Sequence, residues 1–278
     1  MQNAGITELG LNWRYLAFEV HPDDLRAALE GARRMNFIGV NLTLPHKLLA
    51  VDFMDVLDES AKTWGAVNTV RFEGQDISGN WLPLREFQDA PRQIRLHGFN
   101  TDADAVIRSL REDLGQAVTG ARIVVLGAGG AGRTAALKLG AEGAAELYLV
   151  NRTIDKAEVL AKELRAANPK LKVVADYPAG STRVDLVLNA TSLGLRPDDP
   201  LPFDPARLSL KNVGAAYDMI YRPAETAFLG VAKASGCRIV NGIGMLLYQG
   251  TKALELWTGQ QAPVEKMREA LERNVYGK

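Results

Sequence analysis

The run Ile123-Val-Val-Leu-Gly127-Ala128-Gly129-Gly130-Ala131-Gly132 sets three glycines at G-x-G-x-x-G spacing directly after an apolar stretch. No other feature of the chain restricts its fold as strongly. Gly127 permits a tight turn, Gly129 lets backbone N–H groups approach a pyrophosphate, and Gly132 allows a helix to pack closely on the strand before it. The helix that follows presents unpaired N–H donors and the positive end of its dipole to an anion. The hexapeptide alone is a weak signal. Its position between an apolar strand and a helical pattern makes it specific for a dinucleotide.

The surrounding pattern agrees. Strands are expected at residues 122–126, 146–150, 171–175, 184–189, 213–218 and 238–240, with helices at 130–139 and 154–167. Strands alternating with helices imply an α/β fold with a parallel sheet covered on both faces, and right-handed crossovers make it a doubly wound, Rossmann-type sheet. Two further helices, 244–257 and 263–274, close the chain. Upstream, strands are expected at 14–20, 36–42 and 64–72, with a helix at 22–35 that starts on Pro22 and carries Asp23 and Asp24 in its first turn. A short helix at 47–56 follows Pro45. Between residues 73 and 97 the periodicity fails, and Gly74, Gly79, Pro83 and Pro91 point to a long loop or an irregular hairpin. A helix at 102–114 leads into a linker at 115–120, a candidate domain boundary.

The second strand of the βαβ unit selects the dinucleotide. NAD-binding units usually carry a carboxylate there for the ribose 2′-hydroxyl. This strand ends instead in Asn151-Arg152-Thr153, with Lys156 close behind. The planar, permanently charged fork of Arg152 suits a 2′-phosphate. NADP is the expected cofactor.

Charge excludes several other partners. Lys and Arg (33) balance Asp and Glu (33), so no global field favours nucleic acid or an anionic membrane. The three histidines lack ligand spacing, so no metal site is expected, and Cys237 is the only cysteine. No apolar run approaches the ~20 residues that span a bilayer, and the first ten residues lack a signal-peptide pattern. A soluble cytoplasmic protein is expected, monomeric or homodimeric, acting on a small molecule.

Four more stretches place polar residues where packing has no need of them: Asn41-Leu-Thr43-Leu-Pro45-His46-Lys47, Gly65-Ala-Val-Asn68-Thr69, Asn100-Thr101-Asp102 and Tyr217-Asp218-Met219-Ile220-Tyr221. Lys47 opens a helix, and a lysine so placed can serve as an acid/base group in proton transfer. Together with GAGGAGRT, NRT (Asn151–Thr153), NATSLG (from Asn189 to Gly194), YDMIYRP and NGIGMLLYQG (from Asn241 to Gly250), these motifs occur in the order and approximate spacing of the shikimate dehydrogenase family, which the chain resembles over nearly its whole length.

The resemblance implies an NADP-dependent oxidoreductase that interconverts 3-dehydroshikimate and shikimate on the way to chorismate and the aromatic amino acids. Quinate or amino-shikimate oxidation, or non-catalytic NADP binding on the same fold, are alternatives. It implies that Lys47 and Asp102 form the catalytic pair, and that Asn41, Thr43, Asn68, Tyr217 and Gln249 bind substrate. Thr191, Ser192, Met219, Gly242 and Met245 then line the nicotinamide. The family's organisation implies a substrate domain at 1–101 plus 241–278 enclosing an NADP domain at 102–240.

Two departures stand out. The family normally begins with a strand and a Ser-x-Ser segment, followed by a helix; here Gln2-Asn3-Ala4 fall where that helix starts. Either the numbered chain begins late, which is the expectation, or the substrate is anchored differently. Omitting a buried strand leaves backbone donors and acceptors unpaired at a new sheet edge. The second departure is the 73–97 stretch, roughly 15 residues longer than the family's usual connection and carrying Trp81, Leu82, Leu84 and Phe87. It is a surface elaboration packed on its own domain, an overhang of the active site or a contact between subunits.

Overall fold

The computed structural model describes residues 1–277. They divide into two compact units: Met1–Asp102 with Leu247–Asn274, and Ala103–Leu246 with the last residues from Val275.

The first unit opens with α1 (Gln2–Glu8) and, after a 3-10 turn at Pro22–Asp24, α2 (Leu25–Arg34). Leu25, Leu29 and Ala32 recur at helical spacing on α2 and are all buried. β1 (Gly39–Asn41), α3 (His46–Leu49), β2 (Val56–Leu57), α4 (Glu59–Trp64), β3 (Thr69–Gln75), β4 (Trp81–Pro83) and β5 (Ile94–Phe99) follow. The sheet order is β1-β3-β5-β2, with β4 also paired to β3. β3 is antiparallel to β1, β4 and β5, while β2 and β5 are parallel. Period-two alternation divides β3 between two faces. Val70 and Phe72 enter the hydrophobic core, and Thr69, Arg71 and Glu73 lie opposite.

Residues 14–20 form no strand, contrary to the expectation from their short apolar run. The reason is local. Asn3 Nδ2 donates to Tyr15 O (2.9 Å) and Asn3 Oδ1 accepts from Tyr15 N (2.8 Å), taking the two backbone groups that a neighbouring strand would pair. Leu16 and Phe18 remain about two-thirds exposed. The expected strand at 64–72 begins only at Thr69, because Asp58 caps α4 through Ser60 N and Gly65 ends it at φ 62°.

The 73–97 stretch is a hairpin on its own unit rather than a free loop. Asp76 Oδ1 accepts from Ser78 N and Asn80 N to close the turn between β3 and β4. Arg95 stacks 4.6 Å from the Trp81 ring centroid, Leu84 is buried, and Phe87 packs against the core. Only Leu82, of the four apolar residues, stays exposed.

The second unit contains α5 (Asp102–Glu112, from Ala103 onward), β6 (Arg122–Leu126), α6 (Gly130–Ala141), β7 (Glu146–Val150), α7 (Ile154–Ala167), β8 (Lys172–Val174), β9 (Val184–Asn189), β10 (Val213–Asp218), α8 (Ala227–Ala234) and β11 (Arg238–Asn241). All six strands are parallel in the order β11-β10-β9-β6-β7-β8. Strand order reverses between β6 and β9, the switch point at which doubly wound sheets bind ligands. Ile123 through Leu126 are all fully buried, as a strand covered on both faces requires. Residues 115–120 are no boundary, since Leu114, Val118 and Ala121 are core residues of this unit. α9 (Ile243–Thr258) and α10 (Val264–Tyr276) complete the chain, with the division between units falling inside α9 after Leu246. No helix of the described residues is long and apolar enough to cross a membrane.

Candidate active site

In the first unit, three chain segments converge on one carboxylate. Asp102 closes the Asn-Thr-Asp segment after β5, and Lys47 lies on α3 beyond the turn that follows β1. Their side chains meet at 2.7 Å, Lys47 Nζ to Asp102 Oδ2, with 24% and 16% exposure. The pair is therefore sheltered yet reachable. Asn68 Nδ2 donates to the other carboxylate oxygen at 2.9 Å, and the backbone N–H of Val67 donates to Lys47 O at 2.8 Å. Asn68 is almost fully buried, and its Oδ1 accepts from Thr101 N. One asparagine thus fixes the carboxylate from both sequence neighbourhoods.

Asn41 extends this network. Its Nδ2 donates to Asn68 O and Thr69 Oγ1, and its Oδ1 accepts from the Tyr15 hydroxyl at 3.0 Å. Thr43 is exposed two residues on, before the Leu44–Pro45 peptide, which is cis. Gln249 on α9 accepts from Thr101 Oγ1 through its backbone carbonyl at 3.1 Å. Lys47, Asp102, Asn68, Asn41 and Gln249 therefore belong to one connected group, with Thr69 and Thr101 as its buried links. Tyr15 joins it from outside every motif, and nothing in its sequence context marks it.

In the second unit the glycine turn fits its expected purpose. Gly127 has φ +102°, and a Cβ there would lie 3.0 Å from Thr191 Cγ2. A Cβ on Gly132 would stand 2.0 Å from Gly127 O, so α6 packs on the turn only with glycine at that position. Gly129 and Gly130 are different. A Cβ on either would meet no atom within 4 Å, so the space before them is open to a ligand. No side chain caps the N-terminus of α6, whose first-turn N–H groups lack intrahelical acceptors. Gly127, Ala128, Gly129, Gly130, Ala131 and Gly132 thus form a cradle matched to a pyrophosphate.

Beyond β7, Asn151 serves the turn itself: its Oδ1 accepts from Ala128 N at 2.9 Å and its Nδ2 donates to Thr153 O at 2.8 Å. Arg152 and Lys156 are exposed, with no ion pair recorded among the described residues. Arg133, the other cation nearby in sequence, is held by Glu163. Arg152 is the guanidinium left available for an additional phosphate.

Thr191 and Ser192 follow β9, beside the turn at the strand-order reversal. Met219 and Met245 pack partly buried against the core of the unit. Gly242 sits where a Cβ would be 2.0 Å from Met219 O, a close backbone approach that excludes any side chain.

Tyr217 is placed differently from its expected role in binding substrate. It is fully buried on β10, and its hydroxyl donates to Ser109 Oγ at 3.1 Å inside the hydrophobic core. Burial also pushes its phenol pKa upward. In this position it packs the core and meets no solvent-accessible surface. Asp218 beside it is equally buried, so polar character in this motif does not mark exposure.

Comparison with known proteins follows the same division. The shikimate dehydrogenase substrate-binding domain matches residues 1–70, the shikimate/quinate 5-dehydrogenase model residues 109–194, and the shikimate 5′-dehydrogenase C-terminal domain residues 242–272. The chain is 39% identical to an NADP(+) shikimate dehydrogenase of Methanopyrus kandleri, covering 98% of this chain and 89% of the relative. It is 40% identical to one of Moorella thermoacetica, covering 98% and 86%. Among solved structures, shikimate 5-dehydrogenase of Thermus thermophilus in complex with NADP(H) and shikimate aligns with TM-score 0.78 and 36% identity, covering 98% of this chain and 92% of that one. A ligand-free 5-ketofructose reductase of Gluconobacter aligns with TM-score 0.80 and 33% identity over 98% and 92%.

Proposed function

The chain belongs to the shikimate dehydrogenase family, and we propose that it catalyses the reversible, NADP-dependent reduction of 3-dehydroshikimate to shikimate, a step toward chorismate and the aromatic amino acids. The observation that carries this reading is the 2.7 Å Lys47–Asp102 pair held by Asn68. A protein that only binds NADP has no use for a sheltered acid/base pair.

The first unit serves as the substrate domain and the second as the NADP domain. Lys47 holds the hydroxyl that is oxidised, and in reduction delivers a proton to the carbonyl oxygen. Asp102 keeps the Lys47 side chain oriented, and Asn68 keeps Asp102 from rotating away. Asn41, Thr43, Asn68 and Gln249 supply hydrogen bonds to the substrate's hydroxyls and carboxylate. The glycine cradle holds the pyrophosphate, and Arg152, helped by Thr153 and Lys156, takes the 2′-phosphate. Thr191, Ser192, Met219, Gly242 and Met245 shape the nicotinamide end, and NADP when bound supplies hydride-transfer chemistry. The protein acts in the cytoplasm as a monomer or homodimer, with no nucleic-acid partner.

The likeness to 5-ketofructose reductase brings a second reading, reduction of a keto-sugar by the same proton relay. A panel of shikimate, quinate and 5-ketofructose, each with NADP and NAD cofactors in the matching direction, discriminates. The highest kcat/KM should fall on shikimate with NADP. A preference for quinate with NAD, or for 5-ketofructose with NADPH, would replace the proposal.

A further inference from the structure

The second unit holds a buried polar chain beside the cofactor turn. Asp218, at the end of β10, is fully buried. Its Oδ1 accepts from Asn189 Nδ2 and Ile220 N, both at 3.0 Å, and its Oδ2 accepts from Thr226 Oγ1 at 2.6 Å. Asn189, at the end of β9, is also fully buried. Its Oδ1 accepts from Thr191 N (3.0 Å) and Thr191 Oγ1 (2.7 Å), while its Nδ2 also donates to Leu193 O at 3.2 Å. Thr191 Oγ1 in turn accepts from Leu193 N at 3.1 Å. The far end of the turn is fixed as well: Gly194 has φ +115°, and a Cβ there would press on Thr226 at 3.3 Å.

We propose that Asp218 and Asn189 are positioning residues that hold the 189–194 turn in the form that binds NADP. The hydrogen-bond capacity of the Asn189 amide is fully used, with two acceptances and two donations. It has nothing left to give a ligand, and Asp218 is fully buried, so neither residue is offered to the cofactor. They act through Thr191 and Ser192, and through the Thr191 Cγ2 that lies against the Gly127 position. A turn ordered in advance binds its ligand without the entropic cost of ordering on contact. Thr226 also caps α8 through Leu229 N, which ties the chain of bonds to a helix and keeps it from drifting.

This inference rests on the assignment of NADP above, but its test does not depend on turnover. Binding of NADP+ alone is measured by titration for the wild type and for Asn189→Ala, Asp218→Asn and Thr226→Val. Asn189→Ala removes both links to Thr191 and should raise Kd roughly tenfold or more. Asp218→Asn keeps an acceptor for Asn189 and Ile220 N, with its amide turned to Thr226, and should stay within about threefold. Thr226→Val is near-isosteric at a buried site and so protects the test against misfolding; it should weaken binding about threefold. KM for shikimate should move less than about twofold in all three. A folded Asn189→Ala with lowered Tm and wild-type Kd would mean a merely structural role and overturn the proposal. So would a Thr226→Val protein that binds as the wild type does, or an Asp218→Asn protein as weak as Asn189→Ala. Failure of the wild type to oxidise shikimate while binding NADP+ would instead count against the proposed reaction.

Discussion

Glu73 offers a test of how the first unit is held together. It is 2% exposed on the face of β3 away from the core and accepts from Arg71, Arg95 (2.7 Å) and the His97 ring (2.9 Å). Burial alone would raise its carboxyl pKa, but bonds from His97, Arg71 and Arg95 outweigh it and hold the value at about 2 against an ordinary 4.5. A depressed carboxylate contributes stability that is fully present above the unfolded value and lost as pH falls through the folded one. The window is therefore pH 4.5 down to about 2. At about 1.4 kcal/mol per pH unit, the contribution at neutral pH is on the order of 3 kcal/mol. Glu73→Gln keeps the shape and loses that contribution. All four tryptophans, Trp13, Trp64, Trp81 and Trp257, lie in the first unit, so urea unfolding followed by tryptophan fluorescence reports on this unit alone. The variant should be about 3 kcal/mol less stable at pH 7, and the deficit should shrink steadily below pH 4.5 as the wild type itself takes up the proton. A deficit that stays constant between pH 7 and pH 3, or none at pH 7, would refute the reasoning.

Other substitutions test the site directly. Lys47→Ala should lower kcat by roughly 10²–10⁴ while leaving NADP binding intact, checked by steady-state rates and cofactor titration. Arg152→Asp should weaken NADP relative to NAD by at least about tenfold in kcat/KM, since the 2′-phosphate then faces a carboxylate; unchanged preference would remove Arg152 from the cofactor site. Gly132→Ala forces a methyl group 2.0 Å from a backbone oxygen. Separating α6 from its turn should cost about 1–3 kcal/mol and abolish tight NADP binding, read by thermal unfolding and titration. Tyr217→Phe should leave KM for shikimate within about twofold and lower stability by about 1 kcal/mol, because the bond lost is the one to Ser109.

The second unit was legible in the sequence almost strand by strand. Buried parallel strands carry apolar runs, such as 123–126 and 186–188, and the glycine turn marks where the first of them ends. The first unit was less so. Three of its five strands, β1, β2 and β4, are only two or three residues long, too short for a pattern to mark them. Residues 14–20 show the consequence, because their short apolar run promised a strand where Asn3 instead makes two side-chain bonds to Tyr15. The Lys47–Asp102 pair was visible as residue types in a motif, but the buried links that place it, Thr69 and Thr101, and the contribution of Tyr15, depend on proximity that spacing does not encode. Tyr217 shows the reverse failure: the motif marked a residue whose environment is the core.

In the proposed reaction the Lys47–Asp102 pair serves oxidation of shikimate by NADP+. Initial rates of NADPH formation from shikimate, measured side by side for the wild type and Lys47→Ala, test it most directly. The wild type should turn over, and the variant should bind NADP+ normally but be slower by roughly two to four orders of magnitude. A wild type that binds NADP+ yet never oxidises shikimate, or a Lys47→Ala protein that is equally fast, would contradict the account.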